Sequence, residues 1–145
     1  MKSMMKILGI AALAATAFSF NFQQDDPWKV PEKYNKLKNP VAMDASSIKS
    51  GKDLYITYCT SCHGLNGQGT GKRAEKLNMQ PTDFTAVSFQ AQTDGSLLYK
   101  IYFGHKEMPG FKNRLPGRES INENSFGNTR VAGDLINFIR SYSKK

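Results

Sequence analysis

Two cysteines three residues apart with a histidine directly after them, Cys59-Thr60-Ser61-Cys62-His63, concentrate more chemistry than any other stretch of the sequence. C-x-x-C-H is the spacing of covalent haem attachment. Each thiol forms a thioether with one of two vinyl groups on the same porphyrin edge, and His63 falls beneath the iron as the proximal ligand. Other readings of a cysteine pair fail on inventory. Cys59 and Cys62 are the only cysteines and His105 the only other histidine, so a tetrahedral zinc site lacks its remaining ligands. A thioredoxin-like redox pair follows a buried strand, whereas Ile48, Gly51, Tyr55 and Tyr58 before this motif recur at helical spacing. A structural disulfide would leave the adjoining histidine without a role.

A second group of residues supplies the other side of an iron. In Gly104-His105-Lys106-Glu107-Met108-Pro109-Gly110-Phe111, a methionine sits in a short loop between a helix end and a Pro-Gly turn. Thioether sulfur is a soft neutral ligand that favours ferrous iron and raises the potential. Met108 is the sixth-ligand candidate, with Pro109 restricting its backbone. His105, which would give bis-histidine ligation, stands next, and Met79 and Met43 follow; each of the methionines could instead fill core space.

These residues require helices to position them. Ser46 or Ser47 is placed to cap a helix over Ile48 to Tyr58, which delivers the cysteine motif. The glycines Gly64, Gly67, Gly69 and Gly71 lack the G-K-[ST] ending of a phosphate loop and are expected to let the backbone turn close to the porphyrin. A short helix over Arg73 to Leu77 precedes the extended turn at Pro81. Thr93 or Asp94 caps a helix with Leu97, Leu98, Ile101 and Tyr102 on its apolar stripe, and Gly104 ends it. A last helix runs from about Arg130 to Tyr142 with Val131, Leu135, Phe138, Ile139 and Tyr142 on one face, and Gly51 offers a gap over which Phe138 can lie. The segment from Lys112 to Asn128 is polar and turn-rich, and its Lys112, Arg114 and Arg118 read as solvated charges, the alternative being that one of them pairs with a haem propionate.

The sequence divides into three parts. Residues 1–17 read as a cleaved secretory signal, with Lys2 and Lys6 ahead of an apolar run and Ala15-Thr16-Ala17 as the cleavage site. Residues 18–45 are expected to form an extended Pro-rich arm with Pro27, Pro31 and Pro40, either pinned by Trp28 and Tyr34 to the domain at 46–145 or left as a disordered tether. Net charge is +8, and removing Lys2 and Lys6 leaves +6. The basic residues are scattered rather than tracking one helix face, which disfavours nucleic acid and favours an acidic protein partner.

From about Ser46 to Ser143 the sequence resembles a class I, monohaem bacterial cytochrome c. The resemblance rests on Gly51 and Tyr55 before Cys59-x-x-Cys62-His63-Gly64, then Asp94-Gly95-x-Leu97, Gly104-x-x-x-Met108-Pro109-x-Phe111, and an aromatic C-terminal helix, in that order. It implies an all-α fold, about four helices around one covalently attached haem c. It further implies thioethers from Cys59 and Cys62, axial ligation of the iron by His63 and Met108, and the carbonyl of a proline, Pro81 being the candidate, accepting the His63 Nδ1 proton. With both axial positions filled, the iron has no open site for substrate. The expected role is therefore a periplasmic electron carrier, not an enzyme, passing single electrons to redox proteins with acidic docking surfaces. It would meet the membrane only through a partner complex. The alternative is an electron-entry haem subunit of a larger dehydrogenase or respiratory complex.

Overall fold

The computed structural model describes residues 28–116 and 130–143. The expected signal segment and most of the polar 112–128 segment, Arg118 included, lie outside them. The described residues are helical: α1 (Glu32–Asn35), α2 (Ala45–Tyr58), α3 (Thr60–His63), a 3₁₀ turn (Ala74–Lys76), α4 (Val87–Gln90), α5 (Asp94–Phe103) and α6 (Arg130–Arg140). The all-α expectation is met. Among the described residues there are six α-helices against about four expected, because α1, α3 and α4 are single turns too short to show an apolar period.

The centre of the fold is the crossing of α2 and α6. A Cβ on Gly51 would run into the Asp134 carbonyl and lie 2.8 Å from Phe138 Cβ, so the absence of a side chain there sets the closeness of approach. Tyr55, Leu135, Ile136 and Phe138 are buried at and around this crossing, with Leu97, Leu98 and Ile101 of α5 completing the core. From Ala132 to Ile139 every residue of α6 is buried. Two of them, Asp134 and Asn137, are polar and are satisfied together. Ser47 Oγ donates to Asp134 Oδ1 at 2.6 Å, and Asn137 Nδ2 donates to Ser47 Oγ at 2.9 Å.

That network corrects the expected helix start. The cap of α2 is Asp44, whose side chain accepts from the Ser47 amide at 2.8 Å, so neither Ser46 nor Ser47 is the cap. Ser47 begins inside the first turn, where its hydroxyl is committed to α6. At the other boundaries Thr93 caps α5 and Gly104, at φ 66°, ends it. The segment before α2 lies against the domain. Tyr34 is buried against Tyr99 and Phe103, and Asn39 Nδ2 donates to the Gly133 carbonyl and to Asn137 Oδ1, both at 2.9 Å. No helix among the described residues is long and apolar enough to cross a membrane.

Candidate functional site

The cysteine motif is an extension of the α2–α6 crossing. Cys59 closes α2 with its amide on the Tyr55 carbonyl and opens α3, so the pentapeptide runs on from the helix with almost no break. Cys59 and Cys62 are half-buried and not joined to each other, and before attachment burial foremost, with Cys62 second, pushes the Cys59 thiol up to about 12. The glycine-rich loop wraps the end of α3. The amides of Gly69, Gly71 and Arg73 donate to the carbonyls of His63, Cys62 and Ser61 at 2.9, 3.0 and 2.8 Å. A Cβ on Gly71 would collide with the Ser61 carbonyl, and one on Gly69 with that of Pro81. Close backbone approach accounts for Gly69 and Gly71, and Gly64, Gly67 and Gly69 also hold positive φ of 73°, 72° and 74°, which favours glycine. Tyr55 and Tyr142 fasten the start of the loop by donating to the Gly64 and Leu65 carbonyls, each at 2.7 Å.

His63 is buried. Its Nδ1 donates to the Thr82 carbonyl at 3.3 Å, which leaves the lone pair on Nε2. The acceptor is thus Thr82 and not Pro81, whose carbonyl is taken up against Gly69. Loss of hydration on burial lowers the basicity of His63, and the Thr82 bond works in the opposite direction. The ring stacks on Phe84 at 4.3 Å and 20°.

The methionine arrives from the other half of the fold. After Gly104 the backbone makes a two-residue hairpin in which the His105 and Met108 amides each donate to the other's carbonyl at 2.9 Å. Lys106 adopts φ 51° at the tip. Glu107 reaches across to the 78–79 segment, its carboxylate accepting from the Asn78 amide at 2.8 Å, the Met79 amide at 3.1 Å and Asn78 Nδ2 at 3.2 Å. The Phe111 amide returns to the Ile101 carbonyl at 2.9 Å, closing the loop against α5.

His63 and Met108 line one cavity of about 490 Å³. Its walls are mainly apolar, with Phe84, Phe89, Leu97, Ile101 and Ile139, and it has a polar margin of Thr82, Asp83, Gln92 and Lys100. This is the volume and lining of a cofactor site, with an imidazole and a thioether supplied to the same space. His105, Met79 and Met43 are not among the lining residues; Met43 is largely exposed, and His105 stacks on Trp28. The sequence reading overlooked Trp28, Lys100 and Gln92 as lining residues and Glu107 as a clamp.

A family described as cytochrome c oxidase, cbb3-type, subunit III, matches residues 46–122, more than half of the 145 residues. The chain belongs to this family. As a cytochrome c it has covalently bound haem c, with its iron, as cofactor, and its domain is one of electron transfer. It is 37% identical over 54 residues to the dehydrogenase subunit of the quinone alcohol dehydrogenase of Acetobacter aceti, covering 34% of this chain and 7% of that protein. Among solved structures it resembles a chain of the reducing HAO-like protein complex of Kuenenia stuttgartiensis, with a TM-score of 0.57, 22% identity and coverage of 72% of this chain and 47% of that one. It also resembles the c-type cytochrome KustC0563, with a TM-score of 0.50, 26% identity, and coverage of 65% of this chain and 98% of that one. The chain therefore spans a small fraction of the curated relative and about half of the first structural neighbour.

Proposed function

We propose that this cytochrome c is an exported carrier of single electrons, with haem c held by Cys59 and Cys62 and its iron ligated by His63 and Met108. The observation that carries this reading is the convergence of His63 and Met108, from the two halves of the fold, on one apolar cavity. When bound, haem c supplies an iron that cycles between ferric and ferrous states. Everything else falls to the chain. Cys59 and Cys62 would hold the group through thioethers, each formed by adding S–H across a vinyl double bond with the proton going to the neighbouring carbon, which would make attachment redox-neutral. His63 is presented as a neutral imidazole with its tautomer set by Thr82. Met108 is presented by a hairpin stitched to α5 and to Asn78, and the cavity it lines has mainly apolar walls. A filled sixth position leaves no place for substrate, which makes the protein a carrier and not an enzyme.

The same reading places the protein in the periplasm after cleavage of residues 1–17, with 18–45 as an arm and 46–145 as the haem domain. Its partners are redox proteins with acidic surfaces, drawn to Lys106, Lys112 and Arg114, all exposed around the Met108 hairpin. A second reading, an electron-entry subunit of a larger complex, is favoured by the likeness to a dehydrogenase subunit and to a member of a multiprotein complex. Co-purification of the native protein separates the two readings.

The test of ligation is spectroscopic. The ferric protein should show the far-red methionine-to-iron band, Met108→Ala should abolish it, and His105→Ala and Met79→Ala should keep it. A band that survives in Met108→Ala refutes the assignment. Haem that remains non-extractable in the Cys59→Ala/Cys62→Ala protein refutes the attachment.

A further inference from the structure

One wall of the cavity comes from outside the matched family segment. That segment begins at residue 46, yet Trp28 lines the same cavity as His63 and Met108. Its indole stacks on His105 with centroids 5.0 Å apart and planes at 26°. His105 is the residue whose backbone is paired in both directions with Met108. The Lys100 ammonium lies 5.4 Å from the indole centroid, a cation on the aromatic face.

The placement of Trp28 is anchored further along the arm at two points. Tyr34 is buried on α5, where its carbonyl occupies the space a Cβ on Gly95 would need. Asn39 is bound to two groups of α6. The arm is thus a strap with both anchors on the helices that form the cavity, and its aromatic end rests on the methionine hairpin.

We propose that Trp28 is a haem-site residue of this protein: the arm lays its indole over the methionine side of the cavity, where it covers the cofactor and holds the His105–Met108 hairpin closed. The proposal rests on the reading that haem occupies this cavity with Met108 on the iron. An aromatic pair is worth about 0.5–1.5 kcal/mol beyond its buried area, so loss of the stack shifts the closed-to-open equilibrium of the hairpin by roughly 2- to 13-fold.

Trp28 is the single tryptophan of the sequence, which makes a direct test available. In the full haem-loaded protein grown with 5-fluorotryptophan, one fluorine resonance reports this site. It is expected to sit away from the free-indole position and to shift and broaden between ferrous and ferric states, and Tyr34→Ala, which removes an anchor, should reduce both effects. A resonance at the free position, indifferent to the state of the iron, overturns the proposal. The closure is read separately by carbon monoxide binding to the ferrous protein. Trp28→Ala should bind up to about tenfold faster than the unmutated protein, and Trp28→Phe, which retains an aromatic face, should restore most of the protection. Equal rates in all three proteins overturn the closing role. Absence of the far-red methionine band from the unmutated protein counts against the ligation reading instead, and the fluorine resonance still decides whether Trp28 lies at the cofactor.

Discussion

Gly51→Ala adds one methyl group at the point where α2 and α6 touch, and the structure fixes what that group meets. The new Cβ would fall into the Asp134 carbonyl, 2.6 Å from its carbon and 2.8 Å from Phe138 Cβ, where ordinary contact begins at 3.4 Å. Backbone cannot rotate aside as a side chain can, so the helix axes must part by more than half an ångström along a fully buried seam. Overpacking of a dense core costs about 1–3 kcal/mol, and a clash with backbone belongs at the upper end. Alanine recovers about 1 kcal/mol of helix propensity over glycine, leaving a net loss of about 2 kcal/mol. For a domain of this size each kcal/mol is worth about 4–8 °C, so the melting midpoint should fall by about 8–16 °C. The assay is thermal unfolding of the haem-loaded protein by far-ultraviolet circular dichroism. Lys52→Ala, on the exposed side of the same helix, serves as a control that should leave the midpoint nearly unmoved. A Gly51→Ala midpoint within about 2 °C of the unmutated protein would refute the view that this contact sets the crossing.

Glu107→Ala removes three hydrogen bonds between the methionine hairpin and Asn78–Met79; at about 0.5–1.5 kcal/mol for a typical bond, it should weaken the far-red band and quicken carbon monoxide binding, with Glu107→Gln intermediate because its amide oxygen still accepts. Burial, and after it Tyr142, holds the Tyr55 hydroxyl above the ordinary phenol value of 10.0. Above that value the unfolded chain gives up its proton first, so stability present at lower pH is lost as pH rises, by up to about 1.4 kcal/mol per unit for this group. Urea unfolding between about pH 8 and pH 11 should therefore show a shallower loss in Tyr55→Phe, and identical losses would exclude Tyr55 as the source. Charge reversal of Lys106, Lys112 and Arg114 together should flatten the salt dependence of electron exchange with an acidic redox protein in stopped flow, as screening shortens from about 10 Å at 0.1 M to about 3 Å at 1 M. An unchanged slope would move the docking surface to Lys72, Arg73 and Lys76.

What could be read from the sequence was whatever depends on near neighbours in it. The apolar stripe of α5, its Thr93 cap and its Gly104 stop follow from local spacing, and the structure has them in place; the gap at Gly51 facing Phe138 is the one distant pairing also legible, through a glycine inside a helical stripe. The misplaced features depend on partners far along the chain. Ser47 reads as a cap until Asp134, 87 residues away, claims its hydroxyl. Thr82 rather than Pro81 faces His63 because the Pro81 carbonyl is held against Gly69. Asp134 and Asn137 interrupt what otherwise reads as an amphipathic helix, and nothing local says that they are buried. The cavity-lining residues Trp28, Lys100 and Gln92 carry no motif at all; only the folded arm and the α4–α5 corner bring them to His63 and Met108.

The Ser47–Asp134–Asn137 network acts as an index mark between two helices that are otherwise greasy along their contact. The apolar contacts and the Gly51 notch already resist a shift, and a slip of one turn would in addition strand a buried carboxylate and a buried amide, each at about 1–3 kcal/mol. Because the mark lies in the first turn of α2 and Cys59 closes the last, the helix works as a ruler of fixed length. The height of the cysteine motif above the C-terminal turn, where Tyr142 reaches the Leu65 carbonyl, is thus set by polar bonds at the opposite end of α2.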